Sequence, residues 1–123
     1  MKTILLVEDN EDVREAVAEL LRDEGYEVRE AEHGEAALQE LAQMSEDPCL
    51  ILLDLMMPVM SGPEMLKVLD EEHRLDSLRV VVLSAGGKVE DAPAAKRFLR
   101  KPVEPHVLLS VVREFCGECQ PGC

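Results

Sequence analysis

Short runs of consecutive apolar residues alternate along the chain with longer segments whose apolar residues recur every three or four positions. The clearest short runs cover residues 4–7, 49–53 and 80–83. Each run is too short for a stable helix, and an unbroken apolar run is typical of a strand that is covered on both faces. The longer segments have the spacing of amphipathic helices. This alternation predicts an α/β domain with a doubly wound parallel sheet.

Weaker signals complete the predicted order of strands and helices. Residues 27–31 and 98–99 read as an edge strand and a short fifth strand. Asn10 and Asp12 can cap a first helix that ends at Gly25, with an apolar face of Val13, Ala16, Val17, Leu20 and Leu21. Further helices are predicted at residues 37–41, 62–73 and 107–115. Between the fourth and fifth strands, Gly86-Gly87 and Pro93 predict a shortened or irregular fourth helix.

Charge and hydropathy narrow the classes of function. The chain has 123 residues, with 26 acidic and 13 basic side chains and a formal net charge of −13. A phosphate backbone repels such a surface, so we expect no direct binding to nucleic acid. The charge is compatible with a basic partner, with attraction of divalent cations, or with solubility alone. The sequence lacks a targeting segment and a membrane span, so we expect a cytoplasmic protein with reduced cysteines.

Polar residues follow the predicted strands at the points where the strands end. Glu8-Asp9 follows the first strand, Asp54 the third, Ser84 ends the fourth and Lys101 follows the fifth. Ligands of parallel sheets bind at this carboxyl edge. Clustered carboxylates are costly without a cation, and Mg²⁺ prefers such oxygen ligands. A carboxylate beside Mg²⁺ can attack phosphorus, while a lysine and a hydroxyl stabilise the charge of the phosphoryl oxygens.

These segments together resemble the receiver domains of response regulators. The resemblance rests on residues 4–9, 53–62, 82–85 and 98–102, and it covers essentially the whole chain. It implies a flavodoxin-like sheet with the strand order 2-1-3-4-5. It also implies that Asp54 is the phosphoryl acceptor and that Mg²⁺ is the cofactor, with Asp9 as a direct ligand, Glu8 acting partly through water, and Met56 offering its backbone carbonyl.

The same resemblance assigns roles to the last two strands. Ser84 matches the hydroxyl that moves on phosphorylation, and Phe98 matches the aromatic ring that turns inward with it. Lys101 matches the phosphate-binding lysine, and its bond to Pro102 is expected to be cis. Ala85 is small and leaves room for the phosphoryl group.

The implied function is signalling rather than turnover of a substrate. A sensor histidine kinase or histidine phosphotransfer protein would supply the phosphoryl group, and an unknown downstream protein would read the change of shape. Two alternatives stay open: a receiver-like module that binds a protein without phosphorylation, and a phosphatase with an aspartyl nucleophile. The phosphatase needs a general acid two positions after Asp54, where this chain has Met56. The chain is either a stand-alone regulator or relay, or the receiver of a longer protein.

Two features depart from the family pattern. Lys101 follows Ser84 by only 17 positions, about one helical turn fewer than is usual in receiver domains. This stretch forms the surface through which the family commonly signals to its partners. We therefore expect this chain to signal through a different surface. We place the receiver at residues 1–116 and a cysteine-containing tail at residues 117–123. Cys116, Cys119 and Cys123 are too few for a structural zinc site, and we expect Cys49 to be buried away from them. An incidental or redox-sensitive terminus is therefore the preferred interpretation.

Overall fold

Five parallel strands form a single sheet in the computed structural model, which describes residues 2–117. The strand order is β2-β1-β3-β4-β5, as predicted. The strands are β1 (Thr3–Val7), β2 (Glu27–Ala31), β3 (Leu50–Leu53), β4 (Val80–Ser84) and β5 (Arg97–Arg100). β1 and β3 lie at the centre, and all their residues from Ile4 and Leu50 onward are buried. Such burial explains why these strands read as unbroken apolar runs.

The described residues form four α-helices, which connect or follow the strands. They are α1 (Glu11–Asp23), α2 (Gly34–Gln43), α3 (Gly62–Glu71) and α4 (Pro105–Cys116). Asn10 is the N-cap of α1, and its side chain accepts a hydrogen bond from the Val13 N–H. Ser61 and Glu64 form a capping box at the start of α3. Between residues 2 and 117, no helix combines the length and apolar character needed to cross a membrane.

The segment between β4 and β5 confirms the prediction of an irregular fourth helix. It contains only a single 3₁₀ turn, Val89–Asp91, instead of an α-helix. Gly87 lies in the left-handed region with φ of 80°. This conformation and Pro93 interrupt helical hydrogen bonding on both sides of the turn.

The core has two layers, because alternate residues of each central strand face opposite sides of the sheet. Ile4 and Leu52 pack with α1 and α4, whereas Leu5 and Ile51 pack with α2 and α3. One detail of the prediction was wrong: Ala16 is exposed, and Ala18 is fully buried instead. The buried stripe of α1 is therefore rotated relative to the predicted apolar face.

The predicted state and position of two cysteines were also wrong. Cys49 and Cys116 form a disulfide, and Cys49 is only partly buried. The prediction ended the receiver at Cys116 and grouped this residue with the tail cysteines, and Cys116 is the last residue of α4. The end of α4 lies beside the loop that precedes β3, and this proximity could not be read from the spacing of the cysteines. Cys119 and Cys123, and with them most of the predicted tail, lie outside the described residues.

Candidate functional site

The carboxyl ends of four strands meet at one edge of the sheet, as the topology requires. Backbone hydrogen bonds fix each end to its neighbour. The Glu8 N–H donates to the Ala31 carbonyl at 3.0 Å, and the Asp54 N–H donates to the Val7 carbonyl at 3.0 Å. The Lys101 N–H donates to the Ser84 carbonyl at 3.1 Å. The polar residues that the sequence places at strand ends are thus held on a common rigid frame.

Three carboxylates lie together on this frame. Glu8 is 3% exposed and Asp54 is 6% exposed, whereas Asp9 is open to solvent. One oxygen from each of the three lies within 4.8 Å of the others. Oxygen ligands at such spacing can surround a small divalent cation, and Mg²⁺ is commonly held by one or two carboxylates with water completing its shell. The donor set therefore fits Mg²⁺.

Lys101 provides the positive charge nearest to this cluster. Its ammonium donates to Glu8 Oε1 and to Asp54 Oδ2, the latter at 3.3 Å. Burial, followed by the interaction with Asp54, raises the pKa of the Glu8 carboxyl to about 7, although the Lys101 ammonium opposes this shift. Burial alone would lower the pKa of Lys101, but its contacts with Glu8 and Asp54 leave that pKa raised. Lys101 stays charged, and a negative site remains that a cation would stabilise.

The loop after β3 orients the Asp54 carboxylate. Asp54 Oδ1 accepts a hydrogen bond from the Met56 N–H at 3.2 Å, and the Met56 side chain is 66% exposed. The start of α3 packs closely against this loop. A Cβ atom at Gly62 would lie 2.7 Å from the Asp54 carbonyl oxygen, a distance that only a glycine avoids. Gly62 therefore lets α3 approach the backbone of Asp54.

The two predicted switch residues lie on neighbouring strands. Ser84 is fully buried, and its Oγ accepts a hydrogen bond from the Gly86 N–H at 3.4 Å. Phe98 pairs with Val82 in the sheet register, two positions before the level of Ser84. Its ring is partly buried beneath the Arg100 guanidinium, at 4.6 Å from the ring centroid. The Lys101-Pro102 bond that follows is cis, as predicted.

Arg14 helps to position the Glu8-Asp9 turn, and the sequence pattern did not identify it. Its guanidinium donates to the Glu8 carbonyl oxygen at 2.9 Å and pairs with Glu30 Oε1 at 3.3 Å. It thereby ties the start of α1 and the end of β2 to the Glu8-Asp9 turn. The available signal was an arginine in the second turn of a helix that begins directly after an acidic pair. The three histidines were not assigned to the site, and His33 is the N-cap of α2.

Comparison with known proteins identifies the family of this chain. The model of the response regulator receiver domain family matches residues 4–113. The chain belongs to this family. Among solved structures, this receiver domain is similar to the response regulator TrrA from Thermotoga maritima, which was crystallised in complex with Mg²⁺-BeF. The similarity has a TM-score of 0.80 at 30% identity, covering 94% of this chain and 99% of that one.

Relatives of known sequence include both short and long proteins. A 14.6 kDa protein from Leptolyngbya boryana is 35% identical over 92% of this chain and 88% of its own length. The phosphate regulon transcriptional regulatory protein PhoB from Escherichia coli is 33% identical over 98% of this chain. The receiver domain spans 54% of PhoB, about half of that protein. The similarity to PhoB thus concerns the receiver domain and not the whole regulator.

Proposed function

We propose that this receiver domain accepts a phosphoryl group on Asp54 from a phosphohistidine of a sensor histidine kinase or histidine phosphotransfer protein. The observation that carries the proposal is the placement of a buried Asp54 carboxylate 3.3 Å from the Lys101 ammonium and beside Glu8 and Asp9. The similarity to TrrA in complex with Mg²⁺-BeF supports this assignment.

Mg²⁺ is the proposed cofactor. Glu8, Asp9 and Asp54 would hold it, together with the backbone carbonyl of Met56. When bound, the ion neutralises negative charge on the carboxylates and on the phosphoryl oxygens. Asp9 is the exposed member of the cluster and is proposed as a direct ligand, whereas the buried Glu8 already contacts Lys101 and acts partly through water.

The residues of the chain have complementary parts in the transfer. An oxygen of Asp54 attacks phosphorus, the bond from phosphorus to the histidine nitrogen breaks, and the imidazole leaves with the electron pair. The Lys101 ammonium and the Ser84 hydroxyl would donate hydrogen bonds to the transferred oxygens. The domain assists its own phosphorylation and dephosphorylation, and it is a signalling acceptor rather than an enzyme that turns over a substrate.

An apolar groove beside Lys101 supports a protein as the phosphoryl donor. It has a volume of about 430 Å³ and lies between α1 and the segment that leads into α4, lined by Val13, Ala16, Val17, Leu83, Pro102 and Leu108 among others. An exposed apolar surface of this kind is typical of a protein contact site. A protein donor that packs on this groove would lie next to Lys101.

We propose that the conformational change on phosphorylation reaches a partner through β5 and α4. Ser84 and Phe98 adjust to the phosphoryl group, and both lie on regular strands outside the segment that replaces the fourth helix. We propose that a protein partner reads this change, in a cytoplasmic setting and without direct contact to nucleic acid or membrane. The net charge of −13 disfavours a nucleic-acid partner.

Intact mass spectrometry tests the proposal. Incubation with a small acyl-phosphate donor and Mg²⁺ should add one phosphoryl group per chain, and Asp54→Ala should abolish the addition. Asp47→Ala is the matched control, because Asp47 is an exposed aspartate that pairs with Arg74 outside the carboxylate cluster. Undiminished labelling of Asp54→Ala would refute the assignment. A wild-type chain that takes no label would favour a binding module that acts without phosphorylation.

A further inference from the structure

The disulfide between Cys49 and Cys116 lies at the amino edge of the sheet, opposite the carboxylates. Cys49 directly precedes β3, and Cys116 is the last residue of α4. The bond joins residues 67 positions apart in the sequence. No part of the proposed phosphoryl-acceptor chemistry uses this pair.

Contacts other than the disulfide also hold the end of α4 in place. The Arg79 guanidinium donates to the Phe115 carbonyl oxygen, and the Tyr26 hydroxyl donates to the Gly117 carbonyl oxygen at 2.6 Å. Cys116 itself is part of a buried apolar cluster that includes Val112. The end of α4 therefore has noncovalent anchors on both sides of Cys116. Reduction would leave the two thiols close together, which is the arrangement that allows a disulfide to form again.

The two sulfur-bearing residues differ in their access to solvent. Cys116 is only 6% exposed, whereas Cys49 is partly exposed in a loop. Cys49, the more exposed residue of the pair, is therefore the side of the bond at which we expect a thiolate to attack. Thiol–disulfide exchange depends on such access and on which sulfur is attacked.

We propose that Cys49 and Cys116 form a reversible thiol–disulfide site in the native fold, and that its substrate is a dithiol. One donor thiolate attacks Cys49 Sγ, the bond to Cys116 breaks, and Cys116 leaves with the electron pair and takes a proton. The second donor thiolate then attacks the donor sulfur of the mixed disulfide, and Cys49 is released as a thiol. The protein gains two electrons and two protons, and the dithiol becomes a disulfide.

The redox state of this site would control how firmly the end of α4 is held, while Asp54 and Lys101 keep their positions at the other edge. The inference does not rest on the proposed function. It requires only that the native protein exchange the bond without unfolding. A purely structural disulfide would instead be reduced only after the chain opens, because no thiolate would reach Cys49 Sγ in the folded state.

The test uses the full chain with Cys119→Ser and Cys123→Ser, so that only the proposed pair can react. The protein is treated with dithiothreitol in native buffer, alkylated with N-ethylmaleimide and weighed intact. We expect no alkylation before reduction, two alkyl groups after it, and a return to none when oxidised dithiothreitol is added. Thiols that are alkylated before any reduction, or a bond that does not form again, would overturn the proposal.

The rate of reduction separates native exchange from exchange through unfolding. Urea well below the unfolding midpoint should leave the rate unchanged, because the folded protein reacts directly. A rate that rises with urea in parallel with the unfolding equilibrium would contradict the proposal. Peptide mapping of the wild-type chain under the same conditions should find Cys49 linked to Cys116, and it provides the readout if the serine variants fail to fold. A linkage to a different cysteine would also contradict it.

Discussion

The two edges of the sheet are built in opposite ways. The carboxyl edge gathers Glu8, Asp9 and Asp54 around a single lysine, so like charges lie close together with little compensation. The amino edge joins Cys49 to Cys116 covalently and anchors the end of α4 with hydrogen bonds to backbone carbonyls. The comparison indicates that a fold can keep an electrostatically unfavourable site where it acts, because stabilising contacts are placed elsewhere.

Loss of the amino-edge disulfide should have the largest effect on stability and little effect on chemistry. Cys49→Ser should lower the free energy of unfolding by about 4 kcal/mol, since the unfolded chain is no longer closed into a loop of this length. The phosphorylation rate with an acyl-phosphate donor, measured well below the unfolding temperature, should not change. Chemical denaturation with and without dithiothreitol measures the first quantity.

A double variant gives the control for this prediction. Cys49→Ser combined with Cys116→Ser should cost no more than either change alone, because both remove the same bond. Reduced wild-type protein should match the variants. Additive losses of stability would show that the two cysteine changes do not act through one shared bond. A phosphorylation rate that falls together with stability would show that the two edges are not independent.

The next largest effect is expected at the carboxyl edge. Asp9→Ala removes a proposed direct ligand, and it should weaken Mg²⁺ binding by about a hundredfold. Loss of a residue that contacts only a metal ligand, and not the metal, already costs up to about this factor. Titration calorimetry with Mg²⁺ measures this affinity. Asp12→Ala is the matched control, because Asp12 is an exposed aspartate in the first turn of α1 and not in the carboxylate cluster. Equal Mg²⁺ affinities for the two variants would remove Asp9 from the proposed ligand set.

Two glycines near the site give a smaller and more local contrast. Gly62→Ala should destabilise the domain by about 2 kcal/mol, because the new Cβ would overlap the Asp54 carbonyl oxygen and the Leu55 backbone. Gly86→Ala should cost little, since no atom lies within 4 Å of the Cβ position. Thermal unfolding of both variants measures the difference. A loss for Gly62→Ala as small as that for Gly86→Ala would mean that α3 can move away from Asp54 and Leu55 without cost.

The smallest predicted effect concerns the lifetime of the phosphorylated state. Hydrolysis needs a water molecule in line with the bond from Asp54 to phosphorus, and the exposed Met56 side chain offers that water no hydrogen bond. Met56→Asn should therefore speed loss of the phosphoryl group by about threefold, a difference of less than 1 kcal/mol in the barrier. Loss of the mass label over time measures the rate, and an unchanged rate would argue against this reason for slow hydrolysis.

The sequence predicted the carboxyl edge better than the amino edge, for a physical reason. In a parallel sheet the topology alone brings the residues after Val7, Leu53 and Arg100 to one edge, so their positions follow from the strand order. The disulfide depends instead on how far α4 extends and where its last turn packs. The contacts of Arg14 with Glu8 and Glu30 depend on how α1 is rotated against the sheet. The same rotation places Ala18, rather than Ala16, on the buried face of the helix. Neither quantity can be read from local pattern.

The central claim is that Asp54 becomes an acyl phosphate, and borohydride reduction tests it most directly. An aspartyl phosphate is reduced by borohydride to homoserine, whereas a free aspartate is not. Protein treated with acyl phosphate and Mg²⁺, then reduced and digested, should contain homoserine at position 54 and aspartate at positions 9 and 47. Aspartate at position 54, with homoserine at another position, would contradict the account.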